Sequence, residues 1–225
     1  MEEKGGTTMY EVILFDLDGT LTDPKVGITL SVQYALEKMG IYEEDAEKLT
    51  PFIGPPLLSA FKEFYHMNDE EATLAISYYR ERFSKVGLYE NEVYLGIREL
   101  LAELKKQGKK LIVATSKPTV FSVKILEHFD LLHFFTAVIG SNLDGTRTEK
   151  GDVIEFALQD QNLKERERII MVGDRKHDVI GAKKNGIDVI AVAYGYGSQE
   201  ELVTAEPNHM VSSVGELFNL LKFIS

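Results

Sequence analysis

The stretch Tyr10-Glu-Val-Ile-Leu-Phe-Asp-Leu-Asp-Gly-Thr-Leu-Thr22 decides how the rest of the chain is interpreted. Its apolar run is rich in residues that favour β-strands and ends abruptly at Asp16 and Asp18, after which Gly19 and Thr20 turn the chain. The stretch predicts a buried strand that delivers two carboxylates to the edge of a sheet, where ligands bind in open α/β sheets. The alternative interpretation is a strand that ends in a polar turn, with Asp and Gly chosen for turn geometry alone.

Composition limits the classes of partner. The chain has 225 residues and a formal net charge of −11, which argues against a nucleic acid polymer because a phosphate backbone demands a basic face. A small anionic substrate remains compatible with this charge, since a local cation or metal can reverse the field inside a pocket. The chain has no cysteine, which rules out disulfides, thiolate metal sites and cysteine nucleophiles.

The N-terminus carries no sign of export. Residues 1–8 are polar, without the apolar region of a signal peptide, and no segment is long enough to span a bilayer. We therefore expect a cytoplasmic protein with no membrane partner, and we assign residues 1–8 no role.

The spacing of apolar residues divides the chain into two kinds of segment. Between residues 22 and 89 the spacing is helical, and no strand is predicted there. After Leu95 short apolar strands alternate with helices, which is typical of a doubly wound parallel α/β sheet covered on both faces. We predict an α/β core domain of residues 9–21 and 90–225, with a small helical domain of residues 22–89 inserted after the first strand. The later predicted strands are 110–115, 135–140, 168–174 and 188–193, and the last of these is expected to be the final strand before a terminal helix, 214–223.

Hydroxyl side chains follow the second predicted core strand. Thr115 stands where that strand stops, Ser116 follows it, and a helix is expected to begin at about Thr119. Exposed amides at a helix N-terminus bind phosphate oxygens readily. The alternative is an ordinary Ser/Thr cap before a helix, which for this segment alone is the more common situation.

Lys150 stands in the first turn of a predicted helix, where a positive charge opposes the helix dipole at a cost of up to about 1 kcal/mol. A lysine there is easier to explain if it faces anions, and Gly151 leaves room for a close approach. A solvated surface lysine, with the dipole screened by water, is an equally good interpretation.

A second pair of carboxylates, Asp174 and Asp178, stands where strand 168–174 gives way to a helix. Asp is favoured at a helix N-terminus in any protein, so the alternative is that these residues only stabilise the start of the helix. An acidic pair at a second strand end would nevertheless be repelled by the first pair unless a cation lay between them. Oxygen-only ligands favour a hard ion, and we predict Mg²⁺.

Taken in order, these segments read D-x-D-G-T, Thr after a strand, Lys at a helix start and G-D-x-x-x-D. This set resembles the four motifs of the haloacid dehalogenase-like phosphohydrolases and covers essentially the whole core. The resemblance implies that Asp16 is the nucleophile, forming an aspartyl-phosphate, and that Asp18 is the general acid and then the general base. It also implies that Thr115 and the Ser116 amide bind phosphoryl oxygens and that Lys150 neutralises the charge of the nucleophile and the phosphoryl group. The implied Mg²⁺ ligands are the carboxylates of Asp16, Asp174 and Asp178 and the backbone carbonyl of Asp18.

The same resemblance makes the helical segment 22–89 a cap that closes over the site and recognises the leaving group. Its candidate contacts are the loop Thr50–Leu57 and Lys25. On the core side, Gly19, Thr20, Ser116 and Arg147 are candidates for substrate binding, and for Arg147 a solvated surface side chain is an equal alternative.

The stretch from Asp16 to Ile28 resembles the 5′-nucleotidase-like branch of the phosphoglycolate phosphatase group. The implied substrate is a small phosphorylated metabolite, with nucleoside 5′-monophosphates favoured, and the expected assembly is a monomer or a homodimer. Phosphoglycolate phosphatases and related pyrophosphatases usually follow the motif lysine with proline, where this chain has Gly151. Those two activities stay as alternatives, together with a sugar phosphomutase and a binding protein without turnover.

Overall fold

A computed structural model describes residues 10–224 of the chain and shows a six-stranded parallel sheet in the order β5-β4-β1-β6-β7-β8. Residues 1–8, to which no role was assigned, lie outside this range, as do Met9 and Ser225 at the ends of the predicted core. The predicted doubly wound α/β fold is confirmed. The strands are β1 Val12–Phe15, β4 Lys110–Pro118, β5 Ala137–Ser141, β6 Ile169–Gly173, β7 Asp188–Val192 and β8 His209–Val211.

Alternate residues of each strand enter two separate apolar layers, as the period of two along a strand requires. The core helices are α4 Ile97–Lys106, α5 Thr119–His128, α6 Lys150–Asp160, α7 Lys176–Lys184, α8 Gln199–Ala205 and α9 Val214–Ile224. Ile13 and Phe15 pack on one face of the sheet, against α4, α5 and α9. Leu14 packs on the other face, against α6, α7 and α8. Since both faces are covered, the strands read as continuous apolar runs.

Between the first two core strands the chain forms helices that pack mainly on one another. Asn68 caps the helix Asp69–Arg82 with a reciprocal hydrogen-bonded box to Glu71. Phe52, Phe61 and Phe83 are buried in the core of the segment. Its elements are α1 Lys25–Lys38, a 3-10 helix Ala46–Phe52, α2 Leu57–Tyr65, α3 Asp69–Arg82 and a π-helical turn Phe83–Gly87.

Two predictions about strands were wrong. The segment taken as purely helical opens with a strand, β2 Thr22–Asp23, which pairs antiparallel with β3 Glu92–Val93. The strand at 188–193 is not the last, because β8 pairs parallel with it beyond α8. Strands of two or three residues are too short to show a period of two, so the apolar spacing could not reveal them. Within residues 10–224, no helix combines the length and the apolar character needed to cross a membrane.

Candidate active site

The parallel sheet brings three carboxylates together at its carboxyl edge. Asp16 follows β1, and Asp174 and Asp178 follow the neighbouring strand β6, whose residues pair with β1 in register. Each carboxylate offers one oxygen, and these oxygens lie within 4.8 Å of one another. All three side chains are buried, so the cluster is a site inside the fold and not a solvated acidic face.

Lys150 enters this cluster from the N-terminus of α6. Its Nζ lies 2.7 Å from Asp16 Oδ1 and 2.8 Å from Asp178 Oδ1, and it donates to the Ala114 carbonyl at 3.2 Å. The side chain is 4% exposed, which excludes the solvated surface lysine. Burial alone would lower the pKa of Lys150, but Asp16 and Asp178 outweigh it and raise the pKa above the ordinary value. A permanent positive charge therefore faces the Asp16 carboxylate.

One lysine does not balance the acidic cluster. Burial, followed by the charges of Asp178 and Asp16, raises the pKa of Asp174 well above its ordinary value. Burial likewise raises the pKa of Asp178 to about 6, although Lys150 lowers it in part. These carboxyls are crowded and short of positive charge, and their oxygens suit a hard divalent cation. The donor set therefore fits a metal of the Mg²⁺ type.

Gly19 and Thr20 contact this cluster and not the cavity described below. Thr20 Oγ1 donates to Asp174 Oδ1 at 3.3 Å. Gly19 has φ +79°, and a Cβ there would stand 2.2 Å from Asp174 Oδ2. Tyr196, in a loop that the sequence did not single out, donates its amide to Asp174 Oδ2 at 2.7 Å. These neighbours fix the orientation of the Asp174 carboxylate. Because Gly19 and Thr20 face Asp174 and do not line the cavity, no contact supports their expected role in substrate binding.

Asp18 has a partner that the sequence did not reveal. Lys117 Nζ lies 2.6 Å from Asp18 Oδ2, with side chains only 6% and 10% exposed, and it also lies 4.5 Å above the Phe83 ring of the helical segment. Burial raises the pKa of Asp18 above its ordinary value despite the opposing charge of Lys117. Asp18 Oδ1 has no hydrogen-bond partner among the described residues. Asp18 thus keeps a free oxygen and an elevated proton affinity beside the cavity.

Thr115 and Ser116 also line the cavity. The prediction that the strand stops at Thr115 was wrong, because β4 continues through both residues to Pro118. Pro118 is also the residue before α5, and no side chain caps that helix. The interpretation of Thr115 or Ser116 as an ordinary helix cap is therefore excluded.

A cavity of about 590 Å³ lies between these strand ends and the helical segment. Phe52, Gly54, Pro55, Pro56 and Leu57 of the expected loop contribute to its wall, whereas the Ile53 side chain is buried in the core. Further apolar wall residues come from both sides of the cavity: Ile28, Leu58, Ile76, Tyr79, Phe83, Phe121 and Leu143.

Two cations proposed from the sequence lie elsewhere. Arg147 donates to the Gly140 carbonyl at 2.9 Å and stacks on the Phe156 ring at 4.0 Å. Lys25 pairs with Glu47 at an exposed position. Neither residue is part of the cavity wall. Arg80, in contrast, is part of the cavity wall, and it donates to the Leu143 carbonyl across the cavity at 2.8 Å. Nothing in its sequence context distinguished it from a surface arginine.

A parallel sheet with paired carboxylates and a buried lysine at one edge, under a helical cover, defines a phosphoryl-transfer enzyme of the α/β class. Residues 13–192 match the haloacid dehalogenase-like hydrolase family. The chain belongs to that family, and the prediction of a haloacid dehalogenase-like phosphatase is confirmed.

Several known proteins resemble most of the chain. A 5′-nucleotidase of Pseudomonas aeruginosa is 49% identical over 213 residues, which cover 95% of this chain and 96% of that protein. The crystal structure of a predicted phosphatase from Clostridium acetobutylicum is 52% identical, with a TM-score of 0.93, and covers 96% of this chain and 99% of that one. Tyrosine-protein kinase PtkA of Mycobacterium tuberculosis is 40% identical over 187 residues, 83% of this chain and 63% of that protein.

Proposed function

We propose that the chain is a Mg²⁺-dependent phosphomonoester hydrolase that acts on nucleoside 5′-monophosphates through an aspartyl-phosphate. The observation that carries the proposal is the Asp16 carboxylate. It is buried, paired with Lys150 at 2.7 Å, and borders a cavity that also reaches Asp18. A nucleophile, a fixed positive charge and a candidate acid thus meet at one point.

Two displacements at phosphorus complete the reaction. In the first, an Asp16 oxygen bonds to phosphorus while the ester P–O bond breaks, and Asp18 gives its proton to the departing alkoxide oxygen. In the second, Asp18 takes a proton from water, the water oxygen bonds to phosphorus, and the Asp16–phosphorus bond breaks to release inorganic phosphate. The raised pKa of Asp18 favours the protonated form that the first step needs, and the carboxylate that remains after that step is the base for the second.

The other site residues balance the negative charge of the phosphoryl group and hold that group in position. The Asp16, Asp174 and Asp178 carboxylates and the Asp18 carbonyl are the groups that would hold Mg²⁺, which supplies compensation for phosphoryl negative charge when it is bound. Thr115 and the Ser116 amide bind phosphoryl oxygens, and Lys150 offsets the charge of the nucleophile. We assign residues 22–89 as the cap domain and 9–21 with 90–225 as the core domain.

The nucleoside substrate is supported by the size and character of the cavity. A volume of about 590 Å³ lies within the ~300–1,000 Å³ of small-molecule sites and exceeds what glycolate requires. Its apolar and aromatic walls suit a base and sugar better than a second small anion. The similarity to a protein named 5′-nucleotidase points to the same class.

Phosphate release from a panel of phosphoesters tests the proposal. The panel contains nucleoside 5′-monophosphates, phosphoglycolate, pyrophosphate and sugar phosphates, each with Mg²⁺ and with chelator. We expect Mg²⁺-dependent release that is fastest from the nucleotides. Preference for phosphoglycolate or pyrophosphate would establish an alternative substrate class, and isomer formation in a coupled assay without phosphate release would establish a mutase.

Metal binding should strengthen as the pH rises. The pKa values of Asp174 and Asp178 are raised above the ordinary 3.8, so between about pH 4 and pH 6 the folded metal-free protein binds more protons than the unfolded chain. These two groups therefore make the metal-free protein less stable as the pH rises through that window, and Mg²⁺ must displace their protons to bind.

We expect saturating Mg²⁺ to raise Tm by about 5 °C or more near pH 7.5 and by clearly less near pH 5. Thermal unfolding with Mg²⁺ and with chelator at both pH values measures the difference. Asp174→Asn, which removes one carboxylate, is the matched control and should respond little at either pH. An equal shift at both pH values would refute the proton competition.

A further inference from the structure

Arg175 belongs to the turn that carries two of the clustered carboxylates. It stands between Asp174 and α7, and its amide donates to Asp178 Oδ2 at 3.0 Å. Its backbone is therefore tied to the acidic cluster. Its side chain, in contrast, leaves the cluster and makes all its hydrogen bonds to other parts of the fold.

Glu201 of α8 fixes the direction of this side chain. Arg175 Nε lies 2.9 Å from Glu201 Oε1, and Nη2 lies 3.3 Å from Glu201 Oε2, which is the forked geometry that a guanidinium shares with a carboxylate. Glu201 Oε1 also accepts the Lys176 amide at 2.8 Å. Both charged side chains are largely buried, at 12% and 16% exposure, so the pair is held rigidly from the core side.

The remaining arm of the guanidinium reaches the helical segment. Arg175 Nη1 donates to the Ile53 carbonyl, in the loop Thr50–Leu57 that forms part of the cavity wall. The next residue, Gly54, has φ +105°, and a Cβ there would stand 3.0 Å from Arg175 Cγ and 3.1 Å from Nη1. The loop can approach Arg175 this closely because residue 54 has no side chain.

We propose that Arg175 is a positioning residue for the leaving group: held by Glu201, it docks the loop Thr50–Leu57 on the core and so sets the cavity wall against which the non-phosphate part of the substrate packs. The proposal rests on the proposed phosphatase function. It assigns a role to a side chain that does not itself touch the phosphoryl group, and it makes the docked loop a determinant of specificity.

Substrates of different size separate this role from a role in the acidic cluster. We expect Arg175→Met to raise KM for the preferred nucleotide about 10-fold, the loss of one charge-assisted hydrogen bond, with little change in kcat. KM for methyl phosphate, too small to reach the loop, should change less than about 2-fold. An equal loss with both substrates, or a weakened Mg²⁺ affinity, would overturn the proposal, because Arg175 would then act through Asp174 and Asp178.

Gly54→Ala disturbs the docked loop from the other side, because it strains the backbone at φ +105° and places a Cβ against the Arg175 side chain, while Arg175 and Glu201 themselves stay in place. It should reproduce the nucleotide-selective rise in KM, and the double variant should be less than additive because both changes disturb one contact. Arg168→Met is the matched control: Arg168 pairs with Glu11 and Glu165 on the core surface, and its removal should leave both substrates unaffected. Additive losses in the double variant would contradict the proposal.

Hydrogen exchange supplies a readout that needs no turnover. Amides of residues 50–57 should exchange faster in Arg175→Met and in Gly54→Ala than in the wild type, and unchanged in Arg168→Met. Unaltered exchange in this loop would refute the docking even if activity fell. If the wild type hydrolysed nothing in the panel, the proposed function would fail while the exchange experiment would still decide whether Arg175 docks the loop.

Discussion

Asp16→Asn is expected to lower kcat by about 10⁵-fold or more, the scale on which removing a covalent nucleophile acts in other enzymes. The amide has nearly the size of the carboxylate, so the site stays filled, but it has no anionic oxygen to attack phosphorus. Lys150 keeps Asp178 at 2.8 Å as a partner, and so its charge is not left unpaired. Steady-state phosphate release with the preferred substrate measures the loss.

Two controls make this result interpretable. Thermal unfolding should show that the variant still folds, since the side-chain volume is kept and Lys150 retains its contact with Asp178. Because slow deamidation of the introduced asparagine would restore the wild-type carboxylate, Asp16→Ala should be assayed alongside and intact mass checked. Residual activity near the wild-type level in Asp16→Ala would rule out a phosphoenzyme at this residue.

Asp18→Asn should show the second-largest effect, and the effect should depend on the leaving group. For an alkyl phosphate, whose alkoxide must be protonated as it departs, we expect kcat/KM to fall by about 10²–10⁴-fold, the usual contribution of general acid catalysis. For p-nitrophenyl phosphate the leaving group departs without a proton, so the fall in kcat/KM should be much smaller. The ratio kcat/KM is the quantity to compare, because it reports steps up to departure of the leaving group and excludes the later attack of water.

The later step gives an independent check. Without the Asp18 carboxylate as base, hydrolysis of the phosphoenzyme slows, so p-nitrophenyl phosphate should produce a burst of p-nitrophenol followed by slow turnover. Lys117→Met is the matched variant, because it removes the partner of Asp18 at 2.6 Å and leaves the carboxylate in place. Equal losses in kcat/KM with both esters in Asp18→Asn would count against the acid role.

The acidic strand ends were predictable because they depend on local pattern and on one rule of topology. An apolar run that ends in Asp16 specifies both a buried strand and the carboxylate at its end. The carboxyl ends of parallel strands share one edge, so Asp174 had to lie on the same edge of the sheet. The helix after residue 149 likewise indicated where Lys150 stands, and its local dipole cost gave a reason to expect anions nearby.

Contacts that depend on side-chain direction were not predictable. Lys117 follows Thr115 by two residues, but only the packed structure shows that it turns toward Asp18 and lies over Phe83. Arg147 is close to Lys150 in the sequence, yet its left-handed backbone, φ +53°, accompanies a side chain directed to Gly140. Sequence proximity to a functional residue carries no information about which way a flexible side chain points.

The short ribbon of β2 and β3 has an evolutionary consequence. Thr22 pairs with Val93 and Asp23 with Glu92, so the chain enters and leaves the helical segment at two points that are held side by side. The ribbon presents the same two connections to the core whatever helices lie between them. Helices of another length or sequence can therefore replace residues 24–91 without moving the points where the chain enters and leaves the core. The contacts that Lys117 and Arg175 make with the helical segment would have to change together with those helices.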